Sequence, residues 1–309
     1  EPTCTTPPCP TVPCAGTGQD GEYRQGISWP SPRFIDNGNG TVTDRLTGLM
    51  WQQNGSASGA VNWQGALNYV KTLTTGGYTD WRLPNVNELI SLMMHYGHAN
   101  PAAWLNTQGF DSIQLTSPAG YWSSTTNIDA TSEAWFFWIS GNQPIFTSGK
   151  NVTSYYAIAV RGNGNGGAIC IPKTGQTKCY PGVSPYDEIP CAGTGQDGEY
   201  RRGVPWPSPR FADNGNGTVT DRLTGLIWVK NGNLMASRDP GFDTDGTGGD
   251  GRVTWQRALD YVAKLNQERY LGYSDWRLPN VSELRSLMNY GLVNTDYWLN
   301  TQGFSGVTN

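Results

Sequence analysis

Three carboxylates in a glycine-rich run, Asp243-Thr244-Asp245-Gly246-Thr247-Gly248-Gly249-Asp250, are the residues of this chain best suited to metal chemistry. Carboxylate oxygens closely spaced on a flexible loop suit a hard, oxygen-seeking cation, so Asp243, Asp245 and Asp250 are read as a candidate calcium site. The two histidines form a His-x-x-His, His95 and His98, near the end of a helical stretch, but no third ligand accompanies them. Asp36, Asn37, Asn39 and Asp44 also offer oxygens. Their Asn-Gly pairs are explained more simply by turns, and the bidentate glutamate of an EF-hand is missing. No Gly-x-Ser-x-Gly, phosphate-binding Gly-x-x-x-x-Gly-Lys-Ser/Thr or dinucleotide fingerprint occurs, so the chain reads as non-catalytic.

Sulphur chemistry is the other possibility. Six cysteines occupy two Pro/Gly-rich stretches, Cys4, Cys9 and Cys14, then Cys170, Cys179 and Cys191. None has a Cys-x-x-Cys zinc spacing and no histidine lies near them in sequence, which favours disulfides and an oxidising, extracytoplasmic compartment. Cys179 and Cys191 fall within one segment and are expected to pair. Cys4, Cys9, Cys14 and Cys170 leave three pairings open. The start, Glu1-Pro2-Thr3-Cys4, reads as a mature N-terminus after removal of a signal peptide.

The elements that must position these residues are turn-rich. Among 309 residues there are 40 Gly and 20 Pro but only 15% charged residues, with 13 Trp and 15 Tyr to fill cores or line binding faces. A net charge of −4 argues against a nucleic-acid partner. No stretch is long and apolar enough to span a bilayer as a helix.

The pattern centres on Asp80-Trp81-Arg82-Leu83-Pro84-Asn85-Val86-Asn87-Glu88-Leu89, which returns as Asp275-Trp276-Arg277-Leu278-Pro279-Asn280-Val281-Ser282-Glu283-Leu284. Asn85 with Glu88, and Asn280 with Glu283, are capping-box pairs that begin helices, and Gly97 and Gly291 are placed to end them as left-handed stops. Trp81 and Trp276 are read as core residues, and Arg82 and Arg277 as partners of Glu88 and Glu283. Upstream, Asn37-Gly38 and Asn39-Gly40 predict a hairpin between Phe34-Ile35 and Thr41-Val42-Thr43. Asn62 caps a helix with Trp63, Ala66, Leu67, Val70 and Leu73 on one face. Downstream, runs near 121–124, 134–139, 144–147 and 155–160 read as short strands. The order is that of an α+β domain.

The domain is present twice. Residues 14–24 return at 191–201, 34–51 at 211–228, and 104–110 at 298–304, with extra residues around 233–252 in the second copy. A period this long means tandem domains. The boundaries read as a Cys/Pro-rich leader over 1–22, a first domain over 23–165, a Cys-containing linker and leader over 166–199, and an incomplete second domain over 200–309. Residues matching about 113–161 are missing from the second copy. Its apolar helix positions, Trp255, Leu259, Val262, Leu284 and Leu287, are therefore expected to lack cover and to form an interface. Covering them requires either further chain or a partner.

The repeated Asp-Asn-Gly-Asn-Gly-Thr-Val-Thr-Asp-x-x-Thr-Gly-Leu-x-Trp, the Asp-Trp-Arg-Leu-Pro-Asn-x-x-Glu-Leu motif, Tyr121-Trp122-Ser123-Ser124 and Ala159-Val160-Arg161-Gly162 together resemble the Lcl C-terminal domain family, the C-terminal domain of bacterial collagen-like adhesins. The resemblance spans nearly all of the first copy and the N-terminal half of the second. It implies a C-type-lectin-like fold related to formylglycine-generating-enzyme domains, export to the bacterial surface and, in collagen-like members, trimerisation and binding of sulphated glycans. This chain departs from those members in having no Gly-X-Y tract and no basic balance. In such a fold, loops beside the C-terminal strands carry ligands, which makes Tyr121, Trp122, Ser123, Ser124, Asn127, Trp135 and Trp138 the candidate glycan surface. Two roles are expected to compete. One is a homo-oligomeric or polymeric scaffold, such as a filament subunit whose second domain is completed by a neighbour. The other is a free adhesin that binds surface glycans.

Overall fold

The computed structural model describes residues 15–93, 100–115, 120–139, 145–242 and 251–308. Two compact units result. The first-copy unit holds Ile27–Pro205 with Asn289–Val293; the second-copy unit holds the first leader up to Gly26, Trp206–Met288, and the chain from Asn294. Each leader thus belongs to the unit of the copy other than its own.

The first leader ends in a one-turn helix, α1 (Asp20–Tyr23), closed by Arg24 in the left-handed conformation. Glu22 folds it on itself by accepting from the Gly16 and Gly18 amides at 2.6 and 2.7 Å. These amide donors, Gly16 first, hold its carboxyl below the usual value.

In the first-copy unit β1 (Phe34–Asp36) and β2 (Thr41–Asp44) form the hairpin that the Asn-Gly pairs predict, with Phe34 opposite Asp44. Strand β3 (Met50–Gln52) extends it. Helix α2 (Trp63–Lys71) starts where the Asn62 side chain accepts from the Gly65 amide at 2.7 Å, and it buries Trp63, Ala66, Leu67 and Val70. Next come α3 (Val86–Met93) and α4 (Pro101–Thr107), the latter capped by Asn100 with proline in its first turn. Strands β4 (Gly120–Thr126), β5 (Glu133–Trp138) and β6 (Ile145–Gly149) form an antiparallel meander. Finally β7 (Val160–Arg161) returns to pair with β3, Val160 opposite Trp51. A one-turn helix, α5 (Asp197–Tyr200), carries the second leader.

The meander is the centre of this unit. Tyr121 and Phe137 pack with Leu89, Leu92 and Val160 in one apolar cluster, while Trp122 and Phe136 pack with Trp63, Trp81 and Leu83 in another. Side chains of adjacent strand residues point to opposite faces, so both faces of the meander are covered.

The second-copy unit repeats the front half: β8 (Phe211–Asp213), β9 (Thr218–Asp221) and β10 (Ile227–Val229), then, after an added helix α6 (Leu234–Arg238), α7 (Trp255–Gln267), α8 (Val281–Ser286) and α9 (Thr295–Thr301). Its sheet has three strands, and β10 carries no counterpart of β7 among the described residues. Its core is correspondingly small, built on Phe211, Val219, Leu299 and Phe304.

Gly97 lies outside the described residues, and Gly291 does not end its helix in a left-handed turn as expected. Helix α8 stops at Ser286, and Gly291 lies in the first-copy unit, where a Cβ would come within 2.1 Å of the Gly175 carbonyl oxygen. Close backbone approach, not a positive φ, is what requires glycine there. No described helix is long and apolar enough to cross a membrane.

Candidate functional site

The Trp-Arg-Leu-Pro-Asn motif lies in the interior of the first copy. Trp81 is buried and its indole donates to the Thr75 carbonyl at 3.1 Å. Arg82 and Glu88 form a two-pronged pair, both contacts 2.6 Å, and Arg82 also donates to the Gly162 carbonyl. Glu88 meanwhile accepts from the Asn85 amide, and the Asn85 side chain accepts from the Glu88 amide, which closes the capping box. One glutamate therefore starts α3 and neutralises a buried guanidinium.

The motif also forms part of a seat for the second leader. The Asn85 and Asn87 side chains donate to the carbonyls of Arg202 and Pro172 at 3.2 and 3.1 Å. Asp197 is buried, and its Oδ2 accepts from the Thr125 and Thr174 hydroxyls at 2.8 and 2.6 Å. Thr125 in turn accepts from the Val86 amide at the start of α3. The second carboxylate oxygen, Oδ1, has no hydrogen-bond partner among the described residues. Burial pushes the Asp197 carboxyl up to about 6, against the lowering effect of the two hydroxyls. Beside it, a Cβ on Gly198 would meet the Lys178 carbonyl oxygen at 2.2 Å, so the leader fits only because it carries glycine there. The Cys179–Cys191 disulfide, expected from the sequence, ties this leader down. Lys150, fully buried over the Trp63 ring, donates to the Tyr180 and Pro181 carbonyls, and desolvation pushes its ammonium down to about 7.

In the second copy the motif keeps its internal hydrogen bonds but lies half exposed. Arg277 and Glu283 pair through both oxygens, and Asn280 and Glu283 complete the capping box. The Trp276 indole donates to the Tyr270 carbonyl at 3.0 Å, as Trp81 does to Thr75. Trp276 and Arg277 line an open groove of about 710 Å3 together with Trp228, Leu284, Leu287 and Phe304. Of the five expected interface residues, Trp255 is 59% and Leu284 50% exposed, and Val262 and Leu287 are half-buried. Leu259 departs from expectation. It is buried, and a Cβ on Gly18 of the first leader would lie 3.5 Å from its Cδ2.

The residues assigned to glycan binding are mostly interior. Tyr121, Trp122, Ser123, Ser124 and Asn127 are all buried. Trp122 donates to the Val61 carbonyl at 2.9 Å, Ser123 to that of Trp135 at 2.7 Å, and Ser124 to that of Pro84 at 3.2 Å. The Tyr121 hydroxyl accepts from the Gln114 amide and the Asn127 side chain meets Glu133. These five present no open stacking face, because the meander that carries them is covered on both sides. Trp135 and Trp138 are half-buried; Trp135 meets Tyr290 edge-on at 5.4 Å and Trp138 meets Tyr155 at 6.2 Å.

Asp243, Asp245 and Asp250, His95 and His98, and Cys4, Cys9 and Cys14 lie outside the described residues. Among the described residues no group of acidic, histidine or cysteine side chains is arranged to hold a metal. Cys170 is an exposed thiol.

Sequence reasoning did not find Asp197, Thr125, Thr174 or Lys150. A signal existed for the first. Residues 14–24 and 191–201 are identical, although turn-rich segments have no need to repeat side chain for side chain.

A family model for the Lcl C-terminal domain matches the chain twice, over residues 40–161 and 217–309, together more than half of its length. No curated protein matches it.

Proposed function

Since the chain belongs to the Lcl C-terminal domain family in tandem, we propose that it is an exported bacterial surface protein. Its two domains are C-type-lectin-like, and it acts as a non-catalytic structural module that assembles with further copies of itself. The carrying observation is the open second-copy face. Leu284, Trp255, Val281 and Met288 are 36–59% exposed, whereas their first-copy counterparts Leu89, Trp63, Val86 and Met93 are at most 1% exposed. Exposed apolar surface of this kind marks a contact site. The disulfide between Cys179 and Cys191 supports an oxidising, extracytoplasmic setting.

The test is the size of the protein purified from its native surface, read by light scattering and negative-stain imaging. Assemblies are expected, and Leu284→Glu, at a site too exposed to disturb the fold, should disperse them. A compact monomer at micromolar concentration would overturn the self-assembly reading. The glycan reading draws no support from its assigned residues, five of which are buried.

A further inference from the structure

We infer that residues 15–26 of one copy of this chain dock on the second-copy unit of another copy, in the position this segment takes there in the structure. The inference rests on the self-assembly reading and adds to it a contact distinct from the open face.

The two leaders are one plug used twice. Residues 14–24 and 191–201 have the same sequence, and their described parts take the same shape. Glu22 accepts from Gly16 and Gly18 as Glu199 accepts from Gly193 and Gly195, and Arg24 and Arg201 both close their turns at φ 47°. Each plug is therefore held in its turn by hydrogen bonds among its own residues.

The seats also correspond. A Cβ on Gly195 would lie 3.8 Å from Leu67 Cδ2, and one on Gly18 3.5 Å from Leu259 Cδ2; Leu67 and Leu259 hold matching places on α2 and α7. Asp20 and Tyr23 lie within electrostatic reach of Arg277, as Asp197 and Tyr200 do of Arg82.

What differs is depth. Asp197 and Gly198 are buried in their helix, whereas α1 buries nothing. A plug bonded within itself that rests shallowly on its seat keeps every contact when the same segment of another copy replaces it. Exchange of an identical element is thus a low-cost route to association. Plug and seat are different surfaces of one chain, so the contact is heterologous and propagates head to tail.

The experiment is sedimentation velocity of the full chain over a hundredfold concentration range, with two charge reversals. Asp20→Arg sets like charges on plug and seat, and Arg277→Asp does the same from the other side. Each variant alone should associate roughly tenfold more weakly than the parent, or less. An equimolar mixture should recover parental association, because the plug of either variant then meets the seat of the other with opposite charge. A chain lacking residues 15–26 serves if Arg277→Asp alters the circular dichroism, and it should remain monomeric. If the parent associates but deletion of 15–26 leaves association unchanged, this inference is overturned while self-assembly stands. If the parent is monomeric throughout, the self-assembly reading falls and this inference with it.

Discussion

Leu89 and Leu284 occupy the same place in the same motif, yet one is 1% and the other 50% exposed. The two copies share the capping box, the guanidinium–carboxylate pair and the tryptophan bonded to an upstream carbonyl. They differ in what lies over them. In the first copy β4–β7 and the second leader cover the motif; in the second, a groove of about 710 Å3 stands open beside it. The motif thus builds its own local geometry and leaves its burial to other segments. A motif that folds without its cover can present that face to another chain.

The two copies should differ most at the ion pair. Arg82→Ala leaves Glu88, 0% exposed, as a buried carboxylate without its guanidinium, and should cost about 3–5 kcal/mol. Arg277→Ala exposes a glutamate already in contact with water and should cost about 1 kcal/mol or less. Denaturant unfolding of each variant checks the pair. Equal losses would mean that the burial difference carries no energetic weight.

The aliphatic positions sharpen it next. Leu89→Ala should destabilise by about 2–5 kcal/mol through lost burial and a residual cavity. Leu284→Ala should stay within about 0.5 kcal/mol in the monomer, as surface substitutions do, and should act instead on association. Thermal melts at low protein concentration separate the two effects.

The smallest effect concerns leader docking and depends on pH. The carboxyl of Asp197 is raised in the folded state from 3.8 to about 6, so its contribution to stability is present below 3.8 and is lost as pH rises through about 6. The loss should be on the order of 2–3 kcal/mol, confined to the second leader, and absent in Asp197→Asn. Hydrogen exchange of residues 191–204 between pH 4 and 8 measures it; protection that rises across this window in the parent would contradict the sign.

Much of the fold was legible because its signals are local. Asn62 and Asn280 cap helices with side chains that reach amides three residues on. The Asn-Gly pairs turn a hairpin, and Glu88 meets Arg82 six residues away. Pairing of Cys179 with Cys191 followed from their shared segment. Family membership was legible too, since those same local motifs define it.

The candidate site was not. Strand β4 carries Tyr, Trp, Ser and Thr, types that suit a ligand surface as well as a core, and all seven of its residues are buried because both faces of the meander are covered. Asp197 sits in an exposed-looking turn sequence and becomes a buried carboxylate only when Thr125, 72 residues away in sequence, closes over it. By itself the sequence determined the local elements, the repeat, the disulfide and the family. Which faces are wet, and which segment sits on which seat, was decided by the tertiary structure, because burial is a property of remote segments brought together and leaves no mark on the spacing of neighbours.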